Sequence, residues 1–164
     1  MWLPTVRFYG CLIGEGTHWG GNVARVRILL ADDHKEIRER AVRLLEPEFE
    51  VVGAVADGYA LVKASAQLLP DVCVIDISMP HLSGIEAAIQ LRENRSQAKI
   101  VFLTVNEDSD FVSAALRAGA MGYVVKSRMA SDLCVAVNDA INGNLFVSPS
   151  CIFSVDPDLL KPLP

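Results

Sequence analysis

The chain has 164 residues, of which 51% are hydrophobic and 21% are charged, and its formal net charge is −5. This length is enough for one domain with a full hydrophobic core. The acidic balance argues against a broad nucleic-acid surface, which needs clustered Lys and Arg, and no apolar run approaches the roughly 20 residues that a bilayer span requires.

Residues 1–24 contain aromatic side chains and several glycines without a clear period, and we interpret them as an irregular leader. The segment lacks the basic–apolar–cleavage order of a secretory signal peptide. One hypothesis places the natural start of translation near Val23, and mass spectrometry of the N-terminal peptide from the native cell tests it. A peptide that begins at Met1 would refute this hypothesis.

From Val26 onwards, short apolar runs alternate with amphipathic segments. Continuous apolar runs bounded by polar residues are typical of buried strands, and apolar positions three and four apart are typical of helices. The predicted strands are residues 26–31, 50–56, 72–76, 99–104 and 122–126. The predicted helices are residues 36–46, 57–69, 84–93, 108–119 and 129–142.

Five strand–helix pairs in this order predict an α/β fold with a parallel sheet that is covered by helices on both faces. The crossovers between strands should be right-handed. Residues 148–164 hold three prolines after Pro149, and we interpret them as a linker or a disordered tail that is too short for a second domain.

The four cysteines do not have the spacing of metal ligands. Cys73 falls in an apolar strand and Cys134 in an apolar helix pattern, so both are interpreted as small core residues. A chain with unpaired thiols and no signal peptide is typical of the reducing cytoplasm. We assign no chemistry to the histidines and interpret them as loop or surface residues: His18, His34 and His81.

A polar residue follows or ends four of the predicted strands. Asp32 and Asp33 follow the first strand, Asp76 ends the third, Thr104 ends the fourth and Lys126 ends the fifth. Ligands of open α/β sheets bind outside the carboxyl ends of the strands. We therefore expect the three carboxylates, the hydroxyl and the amine to converge on one edge of the sheet.

This set of groups suits phosphoryl transfer. Three carboxylates in one place repel each other, and a divalent cation relieves the repulsion. Hard oxygen ligands select Mg²⁺, which also binds phosphate oxygens. One carboxylate can then act as the nucleophile toward a phosphoryl group, while Mg²⁺, Lys126 and Thr104 stabilise its oxygens. On this interpretation Asp76 is the carboxylate that forms the acyl-phosphate.

Each of these residues also has a simpler interpretation when it is taken alone. Asp32 and Asp33 precede a helix and are suited to cap it, and Asp76 is suited to cap a turn. Thr104 is also consistent with an ordinary strand-end hydroxyl, and Lys126 with a solvated strand end. Their joint occurrence, each at the same end of its own strand, favours the shared site.

Four stretches of the sequence resemble the receiver domain (CheY-like) of two-component response regulators: "ILLADDH", "VCVIDISMPHLSG", "IVFLT" and "AGAMGYVVK". Together with "NGNLFVSP" after the last helix, they resemble most the NarL/FixJ (LuxR-type) regulators. The resemblance implies a receiver domain over residues 25–147. It also implies a flavodoxin-like, three-layer, doubly wound (βα)5 sheet with strand order 2-1-3-4-5.

The resemblance implies a role for each residue of the site. Asp76 is similar to the phospho-acceptor, Asp33 to a direct metal ligand and Asp32 to a ligand that acts through water. Ser78 would offer its backbone carbonyl to the Mg²⁺. Thr104 and Lys126 resemble the pair that contacts the phosphoryl group.

Two further features of the family are a switch and a control of dephosphorylation. Tyr123 is similar to the switch aromatic that moves together with Thr104, although a plain core tyrosine has the same pattern. Ser78 and Asn106 stand at positions that tune the dephosphorylation rate. Many relatives have Ala or Gly directly after the threonine, whereas this chain has Val105, which is expected to slow access to Asp76.

We therefore expect a response regulator receiver that accepts a phosphoryl group on Asp76 from a histidine kinase with Mg²⁺. It would switch the face formed by the fourth helix, fifth strand and fifth helix, and so control a partner or homodimer. It would catalyse only its own phosphorylation and dephosphorylation, and we expect no membrane or direct nucleic-acid contact from this chain.

Three alternatives remain open at this point. One is a receiver-like scaffold that acts without phosphorylation, and another is a phosphatase or phosphotransferase that turns over external substrates through an aspartyl-phosphate. The third is the N-terminal part of a LuxR-type DNA-binding regulator, because NarL-type regulators continue into a helix-turn-helix domain that does not occur before Pro164. The sequence does not identify the kinase, the output partner, the oligomer or the lifetime of the phosphorylated state.

Overall fold

A computed structural model describes residues 24–152 and Asp158 of the chain. The predicted leader therefore lies outside the described residues, apart from Ala24, and so does most of the predicted tail. None of the helices in the described part of the chain is long and apolar enough to cross a membrane.

Within the described residues, six parallel strands form one sheet in the order β2-β1-β3-β4-β5-β6. The strands are β1 (Arg27–Ala31), β2 (Glu50–Val55), β3 (Val72–Ile75), β4 (Lys99–Thr104), β5 (Gly122–Val125) and β6 (Phe146–Val147). The predicted order of the first five strands is confirmed. The pattern does not predict β6, because two residues carry no periodic signal and their pairing depends on the open edge of β5.

Helices cover both faces of the sheet, and the bounds of the first five differ from the predicted ones by at most two residues. The helices are α1 (Lys35–Leu45), α2 (Gly58–Leu68), α3 (Gly84–Glu93), α4 (Ser109–Arg117), α5 (Met129–Ile141) and α6 (Pro149–Ile152). Asp57 and Asp108, which we expected inside helices, are N-caps instead: their carboxylates accept hydrogen bonds from the N–H groups of Ala60 and Asp110 at 2.8 and 2.9 Å.

Residues 148–152 belong to the folded structure, although the pattern assigns them to a linker or disordered tail. They contain α6, and Ser148 and Cys151 are fully buried. The ordered part of the chain therefore extends beyond residue 147, because the residues after β6 pack back onto the sheet.

Successive residues of the strands point to opposite faces and form two hydrophobic clusters. Leu29 and Phe102 pack with residues of α2, α3 and α4, whereas Ile28 and Leu103 pack with residues of α1 and α5. Cys73 belongs to the first cluster as a buried core residue, and burial raises the pKa of its thiol to about 12. The sheet is thus the middle of three layers, and its rigid strands hold the residues at their carboxyl ends.

The turn after β3 is packed closely against Asp76. The N–H of Gly84 donates to the carbonyl of Ile77 at 2.9 Å, and a Cβ atom at position 84 would overlap the carbonyl oxygen of Asp76. Ser83 and Glu86 form a capping box at the start of α3. Glycine therefore allows α3 to begin directly behind Asp76, which accounts for the Ser-Gly pair in the motif.

Candidate functional site

The carboxyl ends of neighbouring strands bring the predicted site residues to one edge of the sheet. The last residues of β1 and β3 are register partners, and so are those of β4 and β5. The N–H of Asp76 also donates to the carbonyl of Ala31 at 2.8 Å. Because the strands are parallel, four side chains emerge at the same edge: Asp32, Asp76, Thr104 and Lys126.

Lys126 bridges two buried carboxylates at the centre of this edge. Its Nζ lies 2.7 Å from Oδ2 of Asp32 and donates to Oδ2 of Asp76 at 2.9 Å. The three side chains are only 8%, 1% and 2% exposed. The predicted convergence of Asp32, Asp76 and Lys126 is therefore present as a buried, charge-paired group.

Burial and charge act against each other in this group. Burial raises the pKa of Asp76 above its ordinary value and outweighs the hydrogen bond and charge of Lys126, which lower it. For Lys126 burial lowers the pKa, but the hydrogen bonds and charges of Asp32 and Asp76 outweigh it and raise the pKa above its ordinary value. Lys126 is therefore held as an ammonium between the carboxylates.

The carboxylates have oxygen atoms available to a cation. Oδ1 of Asp33 is buried and accepts no hydrogen bond of normal geometry from the described residues, whereas Oδ2 of Asp32 is in contact with the ammonium of Lys126. Asp32, Asp33, His34 and Asp76 each offer a ligand atom, and these atoms lie within 4.8 Å of one another. A set dominated by carboxylate oxygens fits Mg²⁺.

Ser78 and His34 lie beside these acids. The N–H of Ser78 donates to Oδ1 of Asp76 at 3.2 Å, and the N–H of His34 donates to Oδ1 of Asp32 at 2.8 Å. The His34 side chain is 66% exposed, as expected, but its Nδ1 lies 2.8 Å from Oδ1 of Asp33. The pattern missed this neighbour, although its position directly after two acids was a signal.

Thr104, Asn106 and Tyr123 form a second connected group. The Oγ1 of Thr104 accepts hydrogen bonds from the backbone N–H and from Nδ2 of Asn106 at 3.2 and 3.3 Å. The hydroxyl of Tyr123 donates to the carbonyl of Asn106 at 2.8 Å. Both Thr104 and Tyr123 are fully buried, and burial raises the pKa of Tyr123. Asn106 thus joins the two predicted switch residues, a link that the sequence did not suggest.

Val105 is 66% exposed at the start of the loop between β4 and α4. It lies between Thr104 and Asn106 in the sequence. The hydrogen bond from the N–H of Asn106 to Oγ1 of Thr104 spans it and holds the start of the loop close to the end of β4. Its predicted effect on access to Asp76 stays a prediction.

Comparisons with known proteins agree with this architecture. The profile of the response regulator receiver domain family matches residues 28–138. The chain is 37% identical over 120 residues to the transcriptional regulatory protein LiaR of Bacillus subtilis, a match that covers 72% of this chain and 57% of LiaR. It is 35% identical over 130 residues to the transcriptional regulatory protein DegU of Brevibacillus brevis, covering 78% of this chain and 55% of DegU.

A solved structure shows the same fold. The two-component response regulator of the LuxR family from Aurantimonas aligns with a TM-score of 0.77 at 32% identity, covering 84% of this chain and 100% of that chain. This chain spans little more than half the length of the two curated relatives, 57% and 55%. The family profile, the doubly wound sheet and the acidic edge agree, and the chain belongs to the response regulator receiver domain family, with relatives among the NarL/LuxR-type regulators of two-component systems.

Proposed function

We propose that Asp76 is the phospho-acceptor of this receiver domain and that a histidine kinase is its physiological donor. The observation that carries the proposal is the bridge from Lys126 to two buried carboxylates, Asp32 and Asp76. The ammonium of Lys126 and a carboxylate oxygen of Asp76 lie at hydrogen-bond distance at the carboxyl ends of the strands. The carboxylate can bond to a phosphoryl group there while the ammonium stabilises the charge on the phosphoryl oxygens.

In the proposed reaction an oxygen of Asp76 attacks the phosphorus of a phosphohistidine. A P–O bond forms, the P–N bond breaks, and the leaving imidazole keeps the electron pair and takes up a proton from solvent. Lys126 and Thr104 bind the oxygens of the transferred group. Mg²⁺, when bound, would neutralise charge on those oxygens; Asp33, Asp76 and the carbonyl of Ser78 would hold it, with Asp32 acting through water.

As a receiver domain the chain is not a classical enzyme, and we propose that it catalyses only its own phosphorylation and dephosphorylation. Ser78 and Asn106 border the path along which a water would reach the acyl-phosphate. Their side chains would therefore tune how long the phosphoryl group remains on Asp76.

The proposed output is a switch that begins at Thr104. Movement of its hydroxyl toward the phosphoryl group would change its contacts with Asn106, which also holds the hydroxyl of Tyr123. The α4-β5-α5 face would then shift between two arrangements and change its pairing with a partner or with a second copy of the chain. Coupling of this kind is typically about 1–3 kcal/mol.

The substitution Asp76→Asn tests the proposal directly. After treatment with acetyl phosphate and Mg²⁺, the wild-type protein is expected to run more slowly on a phosphate-affinity gel, and Asp76→Asn is expected to show no such retardation. Asp110→Asn is the matched control, because Asp110 is an exposed aspartate on α4 and should leave the retardation intact.

Other outcomes would support the rival functions. Retardation that persists in Asp76→Asn would contradict the acceptor assignment. A wild-type protein that is never modified, with or without Mg²⁺ and candidate kinases, would favour a scaffold that acts without phosphorylation. Sustained release of phosphate from a phosphomonoester would favour a phosphatase or phosphotransferase with external substrates.

A second candidate concerns the whole protein. The relatives LiaR and DegU are named transcriptional regulatory proteins, and this chain spans 57% and 55% of their lengths. We propose as the alternative that the receiver is the N-terminal part of such a regulator, acting in the cytoplasm, with DNA contacts made outside this chain. Reading the gene downstream of Pro164 tests this alternative.

A further inference from the structure

A buried polar network lies next to Lys126 but outside the acidic pocket. Its centre is Asp132 in the first turn of α5, which is 5% exposed. Asp132 accepts hydrogen bonds from the hydroxyls of Ser131 and Ser148 at 2.6 and 2.7 Å and from Nε and Nη2 of Arg128 at 3.0 and 3.3 Å. A buried charge with this many donors is held in one place.

Ser148 connects this network to the strand that carries Lys126. Its N–H donates to the carbonyl of Tyr123 at 2.8 Å, and its Oγ accepts from the N–H of Val125 at 3.1 Å. The same Oγ donates to Asp132, so both hydrogen-bonding functions of the hydroxyl are used. Val125 directly precedes Lys126, so the hydrogen bond from Val125 to Ser148 fixes the backbone that carries the Lys126 side chain. Ser148 directly follows β6.

The charge of Asp132 is stabilised by these contacts. Burial raises the pKa of its carboxyl, but the hydrogen bonds from Ser131, Arg128 and Ser148 outweigh burial and bring the pKa below its ordinary value. Asp132 is therefore an anion at neutral pH and a strong acceptor for the Ser148 hydroxyl.

The network also reaches the segment that follows the sheet. The carbonyl of Ser148 accepts from the N–H of Cys151 at 2.9 Å, and Cys151 is fully buried in α6. One residue thus contacts β5, α5 and α6. A displacement of β5 at Lys126 would be passed to α6 through Ser148.

We propose that Asp132 and Ser148 are positioning residues that hold Lys126 in the phosphoryl pocket and link its movement to the segment that begins at α6. This inference rests on the proposed phosphorylation of Asp76. It adds that the phosphoryl pocket and the C-terminal segment of the receiver communicate through Ser148, whose hydroxyl contacts Val125 and Asp132 and whose carbonyl accepts from Cys151.

The first test compares the rate of phosphorylation by acetyl phosphate with the affinity for Mg²⁺. In Ser148→Ala the initial rate is expected to fall about 10-fold, which corresponds to about 1.4 kcal/mol of lost transition-state stabilisation. The Mg²⁺ dissociation constant, measured by calorimetry, should not change, because the metal ligands come from other strands. Ser150→Ala, an exposed serine on α6, is the control and should change neither quantity, while Ser148→Thr keeps the hydroxyl and should restore the rate.

Asp132→Asn provides an independent variant if Ser148→Ala folds poorly, and its rate should fall as well. Equal rates for Ser148→Ala and Ser150→Ala would overturn the proposal, as would a loss of Mg²⁺ affinity in proportion to the loss of rate. A wild-type protein that acetyl phosphate does not modify would instead refute the proposed function, and this inference with it.

The second test follows α6 by nuclear magnetic resonance. Beryllofluoride with Mg²⁺, a stable mimic of the phosphoryl group, is expected to shift the amide signals of Lys126 and of residues 150–152 in the wild type. In Ser148→Ala the shift at Lys126 should remain and the shifts at residues 150–152 should become smaller, because the hydroxyl contacts with Val125 and Asp132 are lost while the backbone hydrogen bonds of residue 148 remain. Unchanged signals from residues 150–152 in the wild type, or shifts as large in Ser148→Ala as in the wild type, would overturn the link to α6.

Discussion

Lys126 is the residue on which the charge balance of the pocket depends. It is 8% exposed and holds two carboxylates that would otherwise be buried without a counter-charge. Removing one partner of a buried ion pair leaves the other charge uncompensated, which costs more than the pair itself contributes.

The substitution Lys126→Met is therefore expected to lower the free energy of unfolding by about 3–5 kcal/mol in the absence of metal. Urea unfolding at neutral pH measures the change. Lys35→Met is the control: its ammonium is 77% exposed and lies 3.8 Å from Glu39, so its loss should cost less than about 1 kcal/mol. Similar losses in the two variants would show that Lys126 does not compensate buried charge.

At the scale of single elements, the first turn of α5 is hydrogen-bonded through Asp132 to Ser148, which directly follows β6. Asp132 receives four hydrogen bonds there, from three residues, and an acid in the first turn also interacts favourably with the helix dipole. The resulting pKa lies below the ordinary value. The contribution of Asp132 to stability is therefore fully present above its ordinary pKa and is lost as the pH falls through the lower pKa of the folded state.

We expect Asp132→Asn to lower the free energy of unfolding by about 1.5–3 kcal/mol at neutral pH, the scale of a hydrogen bond to a charged group. The difference from the wild type should shrink as the pH falls below about 3.9, where the carboxyl becomes protonated in the unfolded state. Urea unfolding between neutral and acidic pH measures this difference. A gap that stays constant with pH would contradict a role for the carboxylate charge.

At the scale of the whole molecule, residues that follow two different strands contribute to the proposed cation site, so metal binding should stabilise the complete fold. The carboxylates come from the ends of β1 and β3. Unfolding separates these strands and destroys the site. Linkage therefore predicts that Mg²⁺ favours the folded state.

Mg²⁺ at ten times its dissociation constant is expected to raise the free energy of unfolding by about 1.4 kcal/mol. Thermal unfolding with Mg²⁺, compared with KCl at the same ionic strength, measures the effect. Asp33→Asn should remove most of it, since Asp33 is proposed as a direct ligand of the cation and its Oδ1 accepts no hydrogen bond of normal geometry from the described residues. Equal stabilisation of the wild type and Asp33→Asn would place the cation elsewhere.

The first five strands and the edge residues could be predicted because their signals are local. A buried strand between two helical layers is apolar on both faces, so the sequence of β3 is a continuous run of apolar residues that ends next to Asp76. Parallel strands align their carboxyl ends, so the polar residues after them were expected to meet. The convergence of Asp32, Asp76 and Lys126 follows from this rule.

The remaining features depend on contacts between residues that are distant in sequence. The two-residue strand β6 forms because β5 offers an unpaired edge. Ser148 can be buried because its hydroxyl accepts a hydrogen bond from the N–H of Val125 and donates one to Asp132. The bond from Tyr123 to Asn106 spans 17 positions of the chain. No local pattern encodes these pairings.

The residue pattern alone is enough to predict the alternation of strands and helices and the chemical groups at one edge of the sheet, because burial and chain direction impose a periodicity on the residues. The contacts between these groups are known only from the folded chain: Lys126 lies between Asp32 and Asp76, Asn106 between Thr104 and Tyr123, and Ser148 between β5 and α5. A hydrogen bond or an ion pair requires a distance and an angle, and folding sets both.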